Sequence, residues 1–71
     1  MEHVIVRYPG GARSVHVDGV QDGMTNKRLR VSRGTHRFDL GEPRDYTPTF
    51  RRPMVKDTSP VKPMEVTFEK A

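Results

Sequence analysis

The sequence predicts an all-β fold, a small antiparallel β-sandwich of about six strands with no significant helix. Apolar and polar residues alternate along short segments between Val4 and Leu40, which is typical of strands with one buried face. Glycine, proline or aspartate residues bound these segments, and such residues favour tight turns. No window repeats apolar residues at the spacing of a helix, and proline or glycine interrupts most candidates.

The N-terminal part of the chain contains the regular strands, which we predict at His3–Tyr8, Ser14–Asp18, Asn26–Ser32 and Thr35–Leu40. The segment Pro9-Gly10-Gly11 ends the first strand, because proline cannot donate to a ladder and glycine allows positive φ. Asp18-Gly19 and Asp22-Gly23 are turn signals between the second and third strands. Arg33-Gly34 is a tight connection, from which we expect the third and fourth strands to form a hairpin.

The C-terminal part is less regular, and we predict strands there at Tyr46–Val55 and Met64–Lys70. In the first of these, Pro48 and Pro53 confine the segment to a sheet edge or break it into pieces. Charged or proline-rich loops, Gly41–Asp45 and Asp57–Pro63, precede the two strands.

The length of 71 residues predicts one domain, 1–71, in which every element shares a single core. Only 32% of the residues are hydrophobic, so this core is thin. The chain contains no cysteine that could staple it. Alternation predicts that the core consists of Val4, Val6, Val15, Val17, Leu29, Val31, Phe38, Leu40, Phe50, Val66 and Phe68.

No stretch approaches the apolar length that a bilayer requires, and the N-terminus lacks the apolar region of a signal peptide. We therefore expect no membrane insertion. We also expect a cytoplasmic location by default, or a cell-envelope location if the domain is part of a larger protein.

Four glycines are predicted to be turn residues: Gly11, Gly19, Gly23 and Gly34. Gly19 and Gly34 are expected to need positive φ, so a β-branched residue at either position is expected to reduce stability.

No residue pattern predicts catalysis, a metal or a cofactor. His16 and Asp18 lie two apart on one strand, but no third ligand has recognisable spacing. Asp18 and Asp22 both precede glycine, where a short carboxylate accepts nearby backbone N–H groups. We expect His36 to pack beside its turn or to hydrogen-bond the backbone. No serine has a nucleophile setting, and Gly10-Gly11 lacks the lysine and helix of a phosphate cradle.

A basic surface is the one feature that suggests a ligand, because the net charge is +4. Arg28, Arg30 and Arg37 are predicted to share an exposed face with Asp39, and Arg51 is expected to join them. Such a face could contact phosphates, but every aromatic residue is assigned to the core or a strand end, so no stacking platform is expected. Arginines paired with Asp39, Glu42 or Glu65 would instead indicate ordinary surface solvation.

The turn residues resemble the signature of the PEGA domain family. The matching segments are Pro9-Gly10-Gly11-Ala12, Val15-His16-Val17-Asp18-Gly19, Gly23-Met24-Thr25, Gly34-Thr35-His36 and Tyr46, with Leu29 and Val31 as an apolar pair. Gly10 stands where that family has glutamate. The resemblance covers about residues 3–68 and implies a transthyretin-like β-sandwich that acts as a non-catalytic module in bacterial or archaeal proteins.

We therefore predict a non-catalytic protein-interaction or structural module without cofactors. Its partner is expected to be an unidentified protein, and a homo-oligomer is a further option. The alternative is a small basic nucleic-acid-binding protein that uses Arg28, Arg30, Arg37 and Arg51. For a protein partner, exposed strand edges near Ile5 or in the fifth strand are candidate docking sites.

Overall fold

Ten short strands and no helix make up the chain, and the prediction of an all-β fold is confirmed. The computed structural model describes residues 1–71. The strands are β1 (Glu2–Arg7), β2 (Ser14–Val17), β3 (Val20–Met24), β4 (Arg28–Val31), β5 (Gly34–Thr35), β6 (Phe38–Asp39), β7 (Tyr46–Thr47), β8 (Met54–Val55), β9 (Met64–Thr67) and β10 (Glu69–Lys70). They form four small sheets rather than six longer strands.

The first sheet has the order β4-β1-β9, with β1 in the centre. β1 is antiparallel to β4, with Val4 opposite Leu29. It is parallel to β9, with Val6 opposite Val66. The prediction of purely antiparallel pairing is therefore wrong for this pair. Since β1 has a neighbour on both sides, the expectation of an open strand edge near Ile5 is also wrong.

The second sheet has the order β3-β2-β6 and is antiparallel throughout. Its outer strand β3 was not predicted, because all five of its side chains are exposed and no apolar alternation marks it. The register shifts along the β2–β3 pair. The extra residue belongs to β3, near Gly23, whose φ is 81°. A Cβ atom at Gly23 would overlap the side chain of Leu29.

Shorter strands replace the longer ones predicted after Gly34. β5 pairs with β8 and β10 pairs with β7 in two-stranded sheets, whereas β6 joins the second sheet beside β2. The predicted hairpin through Arg33-Gly34 is therefore wrong: β4 and β5 belong to different sheets. Between β7 and β8, prolines interrupt the predicted strand Tyr46–Val55, and only an isolated bridge joins Arg51 to Phe38. The prolines thus break this segment, as expected.

One apolar cluster fills the interior and draws on all four sheets. It consists of Val4, Val6, Tyr8, Val15, Val17, Leu29, Val31, Phe38, Leu40, Tyr46, Val55, Val66 and Phe68. Every predicted core residue is present except Phe50, which is 44% exposed. Asp39, predicted on the exposed basic face, is buried.

The Arg13 side chain organises the loop that precedes β7. Its guanidinium lies 5.6 Å from the ring centroid of Tyr8 and 5.0 Å from that of Tyr46. It forms an ion pair with Asp45 and donates to the carbonyl of Pro43 at 2.6 Å. We call these residues, Tyr8, Arg13, Pro43, Asp45 and Tyr46, the Arg13 clamp. Because the phenol of Tyr46 also donates to the carbonyl of Gly41, the clamp fixes both ends of the loop.

The segment between β8 and β9 is tied to the first sheet by polar contacts of Thr58 and Pro60. Thr58 donates its backbone N–H to the carboxylate of Glu2 at 3.0 Å, and its hydroxyl accepts the backbone N–H of His3 at 2.7 Å. The guanidinium of Arg28 donates to the carbonyl of Pro60. These contacts hold the segment against β1 and β4.

Candidate functional site

A depression of about 610 Å³ on the surface is the largest concave feature of the molecule. We call it the Phe50 groove; its lining includes Asp18, Thr35, Arg37, Asp39, Phe50 and Arg52. A neighbouring depression of about 410 Å³ shares two of these residues, Phe50 and Arg52. The Phe50 side chain therefore borders both depressions.

The bridge between Phe38 and Arg51 determines which side chains reach the groove. Each of these residues donates its backbone N–H to the carbonyl of the other, at 2.7 and 2.9 Å. Residues directly opposite each other in a pair share one side, and their chain neighbours point to the other side. Since Phe38 is buried, Arg37 and Asp39 turn toward the groove, together with Phe50 and Arg52 on the facing segment.

The same register explains why Phe50 lies outside the core. The sequence predicts that Tyr46, Pro48 and Phe50 share one side, which requires an uninterrupted strand. The strand ends at Thr47 and pairing resumes only at Arg51, so the alternation changes phase between them. The assignment of Phe50 to the core is wrong, and so is the expectation that no aromatic residue is available for stacking.

Arg37 stacks on the exposed Phe50 ring. Its guanidinium carbon lies 4.5 Å from the ring centroid, within the range of a cation–π contact. The Arg37 side chain is itself 47% exposed. An aromatic face and a cation are therefore presented together to solvent.

The two carboxylates of the groove are engaged with the protein. Asp18 accepts the backbone N–H of Arg37 at 2.9 Å through one oxygen and faces Nδ1 of His36 at 2.6 Å through the other. Asp39 accepts the backbone N–H of Gly41 at 2.9 Å and lies 3.8 Å from the guanidinium of Arg37. Both carboxylates are held by contacts within the protein, and their charges offset those of the two arginines that line the groove, Arg37 and Arg52.

The arginines that line the groove and its neighbouring depression keep most of their N–H donors free. Arg52 is exposed and takes part in none of the ion pairs of the chain. Arg51 uses its Nε to donate to the carbonyl of Thr67 at 2.9 Å. A guanidinium has five N–H donors, so donors remain on Arg37, Arg51 and Arg52 for a ligand.

The Asp18–His36 contact shifts both groups toward their charged forms. Hydrogen bonds from the backbone of Arg37 and from His36 lower the pKa of Asp18 below its ordinary 3.8. The hydrogen bond to Asp18, and a further one to the carbonyl of Ser32, raise the pKa of His36 above its ordinary 6.5. Both ring nitrogens face an acceptor, at 2.6 and 2.7 Å. The pair therefore fastens the turn after β2 to the segment between β4 and β6.

The predicted functional residues are divided between two places. Arg28 and Arg30 lie on β4 in the first sheet, and Arg28 contacts the segment before β9. Arg37 and Arg51 lie beside Phe50 in another part of the fold. Because the predicted hairpin is absent, the four arginines do not line one continuous sheet face.

The predicted turn glycines all have positive φ angles: Gly11 at 99°, Gly19 at 83°, Gly23 at 81° and Gly34 at 135°. His36 does bond to the backbone, as expected. His16 does not pair with Asp18 but lies next to Gly41, where a Cβ atom would be 2.7 Å from its ring. No group of three or more His, Asp or Glu side chains is arranged to hold a metal ion.

Three arginines form ion pairs with the acidic residues whose pairing indicates ordinary solvation of the surface. Arg37 lies 3.8 Å from Asp39, Arg44 lies 3.1 Å from Glu42, and Arg7 lies 3.4 Å from Glu65. Acidic partners thus offset part of the positive surface charge. Arg51 and Arg52 form no ion pair, and several other surface cations, among them Arg28 and Arg30, also have none.

Sequence reasoning missed Phe50 and Arg52 as site residues. The available signal was the run Phe50-Arg51-Arg52 between Pro48 and Pro53. An aromatic residue beside two cations, in a segment that prolines keep out of regular pairing, has a high chance of exposure.

Comparison of the chain with family models, curated proteins and solved structures found no significant match. The structure has no helix of the length and apolar character needed to cross a membrane.

Proposed function

We propose that this chain is a non-catalytic binding module and that its ligand docks in the Phe50 groove. The observation that carries the proposal is the exposed Phe50 ring, 44% accessible, with Arg37 stacked on it and unpaired Arg52 beside it. Aromatic residues and arginines are enriched at surfaces that contact other molecules.

The contacts of the titratable residues support a binding role over catalysis. Asp18 and His36 connect two segments of the fold, and Glu2 holds Thr58. Both ring nitrogens of His36 face acceptors within the protein, so neither is directed at a proton of a substrate. The likeness to the PEGA family agrees with this proposal, since that family is composed of non-catalytic modules.

An experiment that does not require the ligand to be known tests whether the groove is the binding surface. Wild type and the double variant Phe50→Ser/Arg52→Glu are immobilised, and proteins and nucleic acids retained from a cell lysate are identified. We expect the wild type to retain molecules that the groove variant loses. The matched control Arg30→Glu makes the same change of charge on β4, at an exposed position, and is expected to retain them.

Equal retention by wild type and the groove variant, with loss in the β4 control, would place binding elsewhere and overturn the proposal. Thermal unfolding of each variant ensures that only folded proteins are compared. The exposed positions of Phe50 and Arg52 predict that both variants fold.

A further inference from the structure

We propose that the Phe50 groove and the smaller depression beside it bind single-stranded nucleic acid, with one base stacked on Phe50 and phosphates held by Arg51 and Arg52. The inference rests on the proposed function, because it assigns a ligand class to the same groove. The proposed site differs from the basic face predicted from the sequence, because it adds Phe50 and Arg52 and omits Arg28 and Arg30.

The ring position is the first support. Phe50 borders two depressions of about 610 and 410 Å³. Arg37, which stacks on the ring, lines only the larger one, so a planar group can approach the ring from the smaller one. Stacking of a base on an aromatic side chain is the common device of proteins that bind single strands, and it works with every base. The ring thus offers a seat for one unpaired base.

The free guanidinium donors are the second support. Phe50 and Arg52 line both depressions, and Arg51 lines the smaller one. Arg51 has only its Nε engaged within the protein, and Arg52 has no ion pair. A guanidinium matches the geometry of a phosphate through paired N–H donors. An aromatic ring beside two cations suits a ligand that is both planar and anionic.

The positions of the nearby carboxylates favour the smaller depression as the place for the phosphates. Asp18 and Asp39 line the Phe50 groove, where their oxygens accept N–H groups of the protein. Neither of them lines the smaller depression, so a phosphate that approaches Arg51 and Arg52 from that side meets no carboxylate in its lining. Over the whole chain the net charge of +4 also favours an anionic ligand.

The combination of an aromatic ring with cations favours a single strand over two other anionic ligands. Duplex DNA keeps its bases stacked, so none of them has a free face for the ring. An acidic peptide could pair with the arginines but has no planar group that every residue offers to the ring. A single strand uses both the ring and the cations.

Fluorescence anisotropy provides the test with the full 71-residue chain. The probes are a labelled oligothymidylate of about ten nucleotides, within the site sizes typical of single-strand binders, an abasic strand of the same length, and a labelled polyglutamate. The variants are Phe50→Leu, Phe50→Trp and Arg52→Gln, and the matched control is Arg30→Gln on β4. Thermal unfolding checks that each variant folds.

We expect oligothymidylate to bind more tightly than the abasic strand, because only the former can stack. Phe50→Leu should weaken its binding about fivefold or more, while Phe50→Trp should retain it. Arg52→Gln should reduce the slope of log affinity against log salt by about 0.7, the value for one phosphate contact to a single strand. Arg30→Gln should leave affinity and slope unchanged.

Three results would overturn the inference. The first is absence of oligothymidylate binding at low salt, and the second is equal binding of the abasic strand with no effect of Phe50→Leu. The third is polyglutamate binding as tight as oligothymidylate and equally sensitive to Arg52→Gln. This last result would assign an acidic protein as the ligand and leave the proposed binding role of the groove standing. Only the retention experiment tests whether the groove is a binding surface at all.

Discussion

Arg13 and Arg37 both stack on aromatic rings, yet they serve different parts of the molecule. The guanidinium of Arg13 lies 5.0 Å from the centroid of Tyr46, and that of Arg37 lies 4.5 Å from the centroid of Phe50. The Arg13 side chain is 13% exposed, and that of Arg37 is 47% exposed. The stacking distance is thus similar, and the burial differs greatly.

The remaining contacts of each guanidinium account for the difference in role. Arg13 reaches a carboxylate and two backbone carbonyls, those of Pro43 and Leu40. Arg37 has one long contact, to Asp39. An arginine whose donors are used within the fold stabilises a loop, whereas one whose donors remain free can contact a ligand. Stacking geometry alone does not distinguish the two roles.

The aromatic partners should differ most in their effect on stability. Tyr46 is 5% exposed and packs edge-on against Phe68 at 5.6 Å, whereas Phe50 is 44% exposed. We expect Tyr46→Ala to lower the free energy of unfolding by about 3–5 kcal/mol, as for other buried aromatic residues. Phe50→Ala should cost less than about 1 kcal/mol. Urea unfolding measures both, and similar losses would show that Phe50 belongs to the core after all.

The arginines themselves provide the second test. Arg13→Ala removes the ion pair with Asp45 and leaves the carbonyl of Pro43 without its donor. We expect a loss of about 2–3 kcal/mol in the free energy of unfolding. Arg37→Ala keeps the backbone bond to Asp18, so its loss should stay below about 0.5 kcal/mol. A loss for Arg37→Ala that matched Arg13→Ala would contradict the division of roles.

Strand β5, whose Thr35 lines the groove, should be sensitive to backbone strain, unlike the exposed side chains of the groove. Gly34 has a φ of 135° and pairs with Val55, but a Cβ atom there would meet nothing within 4 Å. Gly34→Val should therefore reduce stability by about 1–2 kcal/mol through backbone strain alone. Gly34→Ala is the matched variant, with the same φ penalty and no β-branching. Unchanged thermal stability in Gly34→Val would show that the turn does not need this conformation.

The Asp18–His36 pair should produce a modest dependence of stability on pH. His36 has a raised pKa, so its contribution is complete below about pH 6.5 and is lost as pH rises through the folded value. Asp18 has a lowered pKa, so its contribution is complete above about pH 3.8 and is lost as pH falls. Both contributions are present together between these limits.

His36→Gln should therefore cost more stability near about pH 5.5 than near about pH 8.5. We expect the difference to stay under about 1 kcal/mol, because the Asp18 side chain is 53% exposed and solvent screens the pair. Unfolding in urea at the two pH values measures it. His3→Gln is the control, since the His3 ring forms no ion pair. A constant cost of His36→Gln across this range would exclude the charged pair.

The regular strands could be predicted because their core positions repeat with a period of two. Val4 and Val6, or Leu29 and Val31, are buried as the alternation indicates. β3 carries no such signal: its side chains are all exposed, and backbone pairing with β2 alone defines it. Hydrophobic periodicity therefore finds strands that face the core and misses those that do not.

The candidate site depended on two facts that periodicity cannot supply. One is the change of phase between Thr47 and Arg51, which moves Phe50 to the surface. The other is contact between residues distant in the chain, such as Asp18 with His36 or Arg37 with Phe50. Both result from how separate segments pair. A single sequence gives the segments and not their partners.

The central place of β1 has a consequence for folding during synthesis on the ribosome. Val4 pairs with Met64, so β1 is made long before β9 can cover its second edge. At roughly 5–20 residues per second, that interval lasts several seconds. Until it ends, β1 has an open edge with which other nascent chains can pair. Chaperone protection of β1 is therefore most valuable before residue 64 leaves the exit tunnel.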